Sequence, residues 1–448
     1  MNHTPETNNV TNKTVDTLIS AGWIIPIRPA KTVLNKHSLA INDGVILDIL
    51  PTEKAIARYI AKEHQQLPEH VLTPGLINAH GHAAMTLFRG MAEDIPLDIW
   101  LNEHIWPAEG QWVDETFVRD GTQLAIAEML RSGTTCFSDM YFFPNIAAET
   151  ASDAGIRAQI TFPVFDFPSA WGQGPDDYIR KGLEVRDNFK HNPLINVVLG
   201  PHAPYTVSVE PLKRIASLSA ELNTPVHIHL HETQQEVDTA IAQTGKRPIS
   251  QLNELGLLSP RAQLVHMCAL TNEDITLVKQ SGAHVIHCPQ SNLKLASGFC
   301  PVQTLLENDI NIALGTDGAA SNNCLDMFAE MRTAALLAKA VSANAAALSD
   351  WQALEAATLG GAKALAIDST LGTLEIGKCA DVIAIDFQHI EQQPVYQPIA
   401  QLVYTQCGQH VTHSWIDGQC VLKERQPVNL DLIAIREKAL NWRQKIHK

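Results

Sequence analysis

Short apolar runs separated by turn residues fill the first part of the chain. They fall at 17–27, 38–41 and 44–50, with Asn42-Asp43-Gly44 as a turn signal. The pattern predicts a small β unit with one helix at 52–62, too short to bury a core by itself. Past His82 the texture changes, and short β-rich runs alternate with stretches of helical period. Candidate strands lie at 72–79, 134–139, 157–163, 195–200, 225–230, 262–266, 283–287 and 311–315. Candidate helices at 115–131, 146–154, 176–190, 209–222, 234–255, 274–280 and 302–308 separate them. Eight parallel strands joined by helices predict a closed barrel more readily than an open sheet. Helices at 325–347 and 349–366 would complete it. From Ser369 onward strands return without helices between them, at 372–374, 379–386, 399–405, 410–416 and 419–422, before an amphipathic helix at 430–447. The expected class is α/β: a (β/α)8 TIM-type barrel over 73–368, a small β-sandwich domain built from both chain ends (14–72 and 369–448), and a disordered tail over 1–13.

Composition narrows the possible partners. With 45% hydrophobic residues among 448, the chain can fill a large core, and a barrel with an appendage absorbs this length. Its net charge of −15, with no lysine- or arginine-rich block, argues against sequence-independent nucleic-acid binding and fits action on small molecules. The eight cysteines are scattered, with no Cys-x-x-Cys pair, as expected of buried thiols in a reducing compartment. The start is polar and lacks an apolar signal core, and no apolar run is long enough to span a bilayer. The expectation is a cytoplasmic protein with no membrane partner.

Candidate chemistry concentrates where a barrel places it, at the C-terminal ends of the strands. The first end reads Thr73-Pro74-Gly75-Leu76-Ile77-Asn78-Ala79-His80-Gly81-His82. Side chains at i and i+2 of a strand share a face, so His80 and His82 can reach one point. Later ends carry His202, then His227, His229 and His231 before Glu232, then His266, His287 and Asp317. Taken singly, each histidine could be a hydrogen-bonded structural residue. Together at strand ends, three histidines and a carboxylate make a site for one divalent ion with a position left for water. His80, His82 and His229 are the candidate nitrogen ligands and Asp317 the oxygen ligand. Alternation alone does not single out His229 from His227 and His231. A divalent ion acidifies its water toward neutral pH, and hydrolysis then needs a proton shuttle. Glu232 is the candidate for moving a proton onto the substrate, and His266 for holding or deprotonating the water, with Asp317 assisting. The alternative for Glu232 is a carboxylate that caps the following helix.

These stretches resemble the amidohydrolase superfamily, in its cytosine deaminase-like branch with one metal. The matching motifs are Pro74 to His82, the His229/Glu232 segment, Val265-His266, Gly315-Thr316-Asp317-Gly318, and the return Gly372-Thr373-Leu374-Glu375-Ile376-Gly377-Lys378-Cys379-Ala380-Asp381. Within it the chain is most similar to the 5-methylthioadenosine/S-adenosylhomocysteine deaminases. The added stretches are Leu87-Phe88-Arg89-Gly90-Met91-Ala92-Glu93-Asp94, Trp100-Leu101 with Ile105-Trp106-Pro107-Ala108-Glu109, Pro201-His202-Ala203-Pro204-Tyr205 and His287-Cys288-Pro289-Gln290-Ser291-Asn292-Leu293-Lys294-Leu295. The resemblance implies a nucleoside substrate, with Glu109 accepting from the ribose hydroxyls, His202 near sugar or base, and Glu232 at N1 of adenine. Hydrolytic attack at C6 would release ammonia. Ligand type alone makes zinc the default, with iron or manganese as alternatives for the same His/Asp set, and a homodimer is the base-rate expectation for oligomeric state.

One stretch departs from the family pattern. Members handling S-adenosylhomocysteine are expected to present arginines on the loop after the third barrel strand, to grip the amino-acid carboxylate. Residues 164–177 contain none and are apolar and aromatic. The expectation is a preference for methylthioadenosine, with adenosine and S-adenosylhomocysteine as further substrates. Rival readings are a sister deaminase or dechlorinase of purines, pterins or triazines, a two-metal cyclic-amide hydrolase, and a non-catalytic scaffold. The two-metal reading lacks a bridging lysine at Leu199-Gly200-Pro201-His202, and the scaffold reading meets a complete ligand set. The His-x-Glu and Pro-Cys-x-x-Cys pattern of polynucleotide deaminases is absent.

Overall fold

The structure, a computed structural model, describes residues 13–447. The tail expected over 1–13 lies outside the described residues except for Lys13, which begins the first strand. Two sheets of eight strands organise the chain. One runs in chain order through Leu76–Gly81, Thr134–Met140, Arg157–Val164, Ile195–Pro201, Val226–Leu230, Ala262–His266, His284–His287 and Ile312–Leu314, every neighbouring pair parallel. Nearly every residue of these strands is buried, as in a sheet covered on both faces. The eighth strand returns beside the first. Thr316 N–H donates to Asn78 Oδ1 at 2.9 Å, Asn78 Nδ2 donates to Thr316 Oγ1 at 2.7 Å, and Asp317 N–H donates to the His80 carbonyl at 3.0 Å. Side chains thus stitch the seam. Gly315 makes the approach possible, because a Cβ there would stand 2.9 Å from the His80 backbone.

The second sheet joins the chain ends, as the sequence pattern predicts. Its order is Gln426–Pro427, Gln419–Lys423, Val411–Ile416, Val382–Asp386, Tyr59–Pro74, Lys13–Ile24, Leu34–Asn42 and Val45–Pro51. The sheet is continuous and curls, so that Val45 at its edge bridges Cys379 ahead of Val382–Asp386. Ile19, Leu39, Ile46, Leu72, Val382 and Trp415 fill its own small core.

Four expectations are corrected. The helix expected over 52–62 stops at Arg58, and the sixteen-residue strand Tyr59–Pro74 follows it. That strand is polar and half exposed, so it lacks an apolar run. Pairing on both sides, with Lys13–Ile24 and Val382–Asp386, holds it extended. The first barrel strand accordingly begins at Leu76 rather than at residue 72. The β-branched run at 399–405 forms the helix Pro398–Tyr404 instead of a strand. Pro398 occupies its first turn, and Ile399, Leu402 and Val403 bury at helical spacing. Residues 372–374 form no strand, although Leu374 N–H donates to the Pro26 carbonyl at 2.9 Å. Among the described residues no helix is long and apolar enough to cross a membrane.

A buried ion pair ties barrel to sheet. Arg157, which opens the third barrel strand, meets Asp381 with two hydrogen bonds of 2.8 and 3.1 Å and reaches Asp417 at 3.1 Å. Above the barrel mouth lies a helical run through Leu97–Ile99, a wide π turn at Trp100–Ile105 and Trp106–Trp112. It carries Trp106 and Glu109 to the cleft.

Candidate active site

Barrel strand ends deliver the ring nitrogens of His80, His82 and His229 to one point, all within 4.8 Å of one another. His80 Nε2 and His229 Nε2 are 3.2 Å apart. Asp317 Oδ1 lies 3.2 Å from His82 Nε2 and 3.5 Å from His80 Nε2. His231, His266 and Asp317 sit at their strand ends with φ of 53°, 75° and 61°, a left-handed backbone that non-glycine residues adopt only under constraint.

The tautomers follow from the partners on the far side of each ring. His82 Nδ1 lies 2.6 Å from the Met140 carbonyl and His229 Nδ1 lies 2.7 Å from the His202 carbonyl. A carbonyl only accepts, so both Nδ1 atoms carry hydrogen and both Nε2 atoms carry lone pairs. His80 is set by a relay. Gln263 Nε2 donates to the Gln159 Oε1 and Ala364 carbonyl oxygens, and its Oε1 stands 2.7 Å from His227 Nδ1. His227 therefore donates from Nδ1 and accepts at Nε2, 2.8 Å from His80 Nδ1. That leaves the His80 Nε2 lone pair facing the same point. Three lone pairs and a carboxylate converging in a buried space repel one another unless a cation sits among them. The donor set therefore fits a divalent ion with His/Asp ligation.

Burial pulls His82 down, but Asp317, the Met140 carbonyl and Asp139 together raise it to about 9, so an ion binding among these donors would displace a proton from His82 Nε2. Burial depresses His80 and His229 well below the usual imidazole range, so they stay neutral. Burial works against the charge on Asp317, yet His80 and His82 hold its carboxyl well below the ordinary range. Its Oδ2 accepts the Ser291 hydroxyl at 2.6 Å and its Oδ1 accepts Gly318 N–H at 2.8 Å.

Glu232 stands across the cleft, its Oε2 3.7 Å from His266 Nε2 and its Oε1 accepting the Ser297 hydroxyl at 3.1 Å. Burial raises its carboxyl above the ordinary value. The capping alternative belongs to other residues. Thr233 caps the helix Gln234–Thr244, and Glu236 accepts the N–H groups of His231 and Glu232 at 3.0 and 2.8 Å. Glu232 is thereby free to face the cleft. His266 Nδ1 pairs with Asn292 Oδ1 at 2.8 Å, which leaves its Nε2 to accept.

One cleft of about 810 Å³, open solvent included, is lined by His82, Glu109, His202, His229, Glu232, His266 and Asp317 together. His80 lies fully buried beneath it. Burial pushes the Glu109 carboxyl up to about 7, opposed by Tyr141 and the charge of His82. Phe142, Phe165, Phe167 and Trp106 build an aromatic wall, and Phe165 packs 4.8 Å from the His202 ring.

The amidohydrolase family model matches residues 71–421, which span the barrel and the second-sheet strands Val382–Asp386 and Val411–Ile416. A 5-methylthioadenosine/S-adenosylhomocysteine deaminase of Saccharophagus degradans is 56% identical over 98% of each chain. The chain belongs to the amidohydrolase family, among these deaminases. Of solved structures, an adenosine deaminase from Xanthomonas campestris with bound zinc superposes with a TM-score of 0.96 at 45% identity, covering 97% of this chain and 99% of that one. An atrazine chlorohydrolase from Arthrobacter aurescens shares the fold with a TM-score of 0.88 at 22% identity, over 95% and 99%.

The role of His227, left open by the sequence, is to act on His80 from below. Other partners in this family member escaped the sequence reading: Gln263 sets His227, and Ser291, Asn292 and Ser297 hold Asp317, His266 and Glu232. Ser291 and Asn292 lie inside the quoted motif from His287 to Leu295, which was their only signal. His231 proves structural: its Nδ1 donates to the Ala269 carbonyl and its Nε2 accepts Ile249 N–H.

Proposed function

We propose that the protein deaminates the adenine ring of 5'-methylthioadenosine to 5'-methylthioinosine, with adenosine and S-adenosylhomocysteine as slower substrates. The convergence of three histidine lone pairs and Asp317 beside the buried carboxyl of Glu232 carries this reading. His80, His82, His229 and Asp317 would hold one zinc ion. When bound, such an ion makes water acidic enough to attack near neutral pH. Glu232 donates a proton to N1 of adenine, which makes C6 electrophilic. His266 and Asp317 accept the proton lost by the attacking water. That proton passes to the amino nitrogen, the C6–N bond breaks and ammonia leaves, and as the C6 carbonyl forms the hydroxyl proton returns to Glu232. Glu109 accepts from the ribose hydroxyls, and His202 contacts the nucleoside beside the aromatic wall.

The wall supports the preference. Phe142, Phe165 and Phe167 offer a methylthio group an apolar seat, and among the described residues no arginine or lysine lines this cleft. A charged homocysteine tail would be desolvated there without a partner. Ammonia release and the adenine-to-hypoxanthine absorbance change, measured on the three nucleosides and on free adenine, guanine, a pterin and a triazine, test the proposal. Methylthioadenosine should give the highest kcat/KM. Preference for S-adenosylhomocysteine would overturn the specificity, and turnover of free bases alone would overturn the nucleoside reading.

A further inference from the structure

The second sheet carries another group of metal-type donors, which shares no residue with the cleft. The antiparallel pair Val382–Asp386 and Val411–Ile416 brings the chain just past one strand beside the chain just ahead of the other. His389 lies three residues beyond Asp386, and His410 directly precedes Val411. Their rings stack with centroids 3.9 Å apart and planes tilted by 28°. One nitrogen from each ring and a carboxylate oxygen of Glu391 all fall within 4.8 Å of one another. Asp386 Oδ2 stands 3.6 Å from His389 Nε2. Directly across the ladder from Asp386 is His70, whose Nδ1 is buried with no hydrogen-bond partner. Residues opposed in an antiparallel pair share a face, so a buried imidazole nitrogen lies beside the same group.

Cofacial imidazoles this close repel when both are protonated, so at neutral pH at least one presents a lone pair. Neutral imidazole with carboxylate is the donor chemistry of zinc and its neighbours, whereas calcium and magnesium take oxygen alone. We propose that His389, His410 and Glu391 form a second site for a divalent transition ion of the zinc class. Asp386 orients the His389 ring, as carboxylates orient metal-bound imidazoles. The ion would clip the loop bearing His389 and Glu391 to the short helix Cys407–His410. Gln392 Nε2 already joins these segments through a 3.3 Å contact to Cys407 Sγ.

The test is equilibrium dialysis of the full-length protein against zinc, with bound metal per chain measured by mass spectrometry. Wild type is compared with His389→Ala and Glu391→Gln, both at exposed positions outside the core. Each variant should bind about one ion fewer per chain than wild type, show a smaller zinc-dependent rise in melting temperature, and deaminate at the wild-type rate. Equal stoichiometry in all three proteins would overturn the site. So would a zinc-dependent rise in melting temperature as large in both variants as in wild type.

Discussion

His227 touches neither the cleft nor the convergence point, yet it decides which nitrogen of His80 carries hydrogen. Replacing it with Phe removes the acceptor for His80 Nδ1 while keeping an aromatic ring in place. Zinc affinity should fall about 10–100-fold, the usual cost of losing such an outer partner, as read by competition with a chelator. Glu232→Gln keeps the shape and loses the proton. It should retain wild-type zinc content while kcat drops at least about 100-fold, and a near wild-type rate would reject the acid/base role. Glu109 predicts a pH effect. A carboxylate accepts from both ribose hydroxyls, and the acid form has less acceptor capacity. Since burial lifts Glu109 to about 7, KM for methylthioadenosine should rise as pH falls through that value and level off above it. Glu109→Gln should raise KM and flatten the limb. The residues proposed as ligands could be singled out in the sequence because strand ends place them there. Gln263 was not, because it meets His227 from 36 positions away and bears no motif of its own.

At the scale of elements, one side chain makes two of the hydrogen bonds that close the barrel seam. Asn78 satisfies the buried N–H of Thr316 and bonds its hydroxyl, which places Asp317 beside His80. Asn78→Ala leaves that N–H unpaired at a cost of about 1–3 kcal/mol. Zinc affinity should fall with it; a lower melting temperature with unchanged affinity would confine the seam to stability. Eight alternating strands and helices were legible because short β-rich runs alternate with stretches of helical period. Tyr59–Pro74 was not, since both faces of its ladder come from distant segments and its own residues are largely polar. Pro398–Tyr404 was misread because its β-branched residues outweighed its helical burial period.

For the whole molecule, the Arg157 pair with Asp381 locks the barrel to the sheet made from both ends of the chain. Removing one partner strands a buried charge, so Arg157→Ala should destabilise by about 3–5 kcal/mol. Unfolding monitored by denaturant gives the loss, and a change under about 1 kcal/mol would show that solvent reaches the pair. The sequence by itself determined the barrel, the joining of the two chain ends, and the residues offering lone pairs and carboxyls at the barrel mouth. Strand periodicity and motif spacing are local properties, and they carry that much. Only tertiary structure decided which nitrogens face inward, which carboxyl caps a helix and which faces the cleft, and where the aromatic wall stands. Those outcomes depend on contacts between residues far apart in the chain, such as Gln263 with His227 and Ser297 with Glu232. No local pattern encodes them.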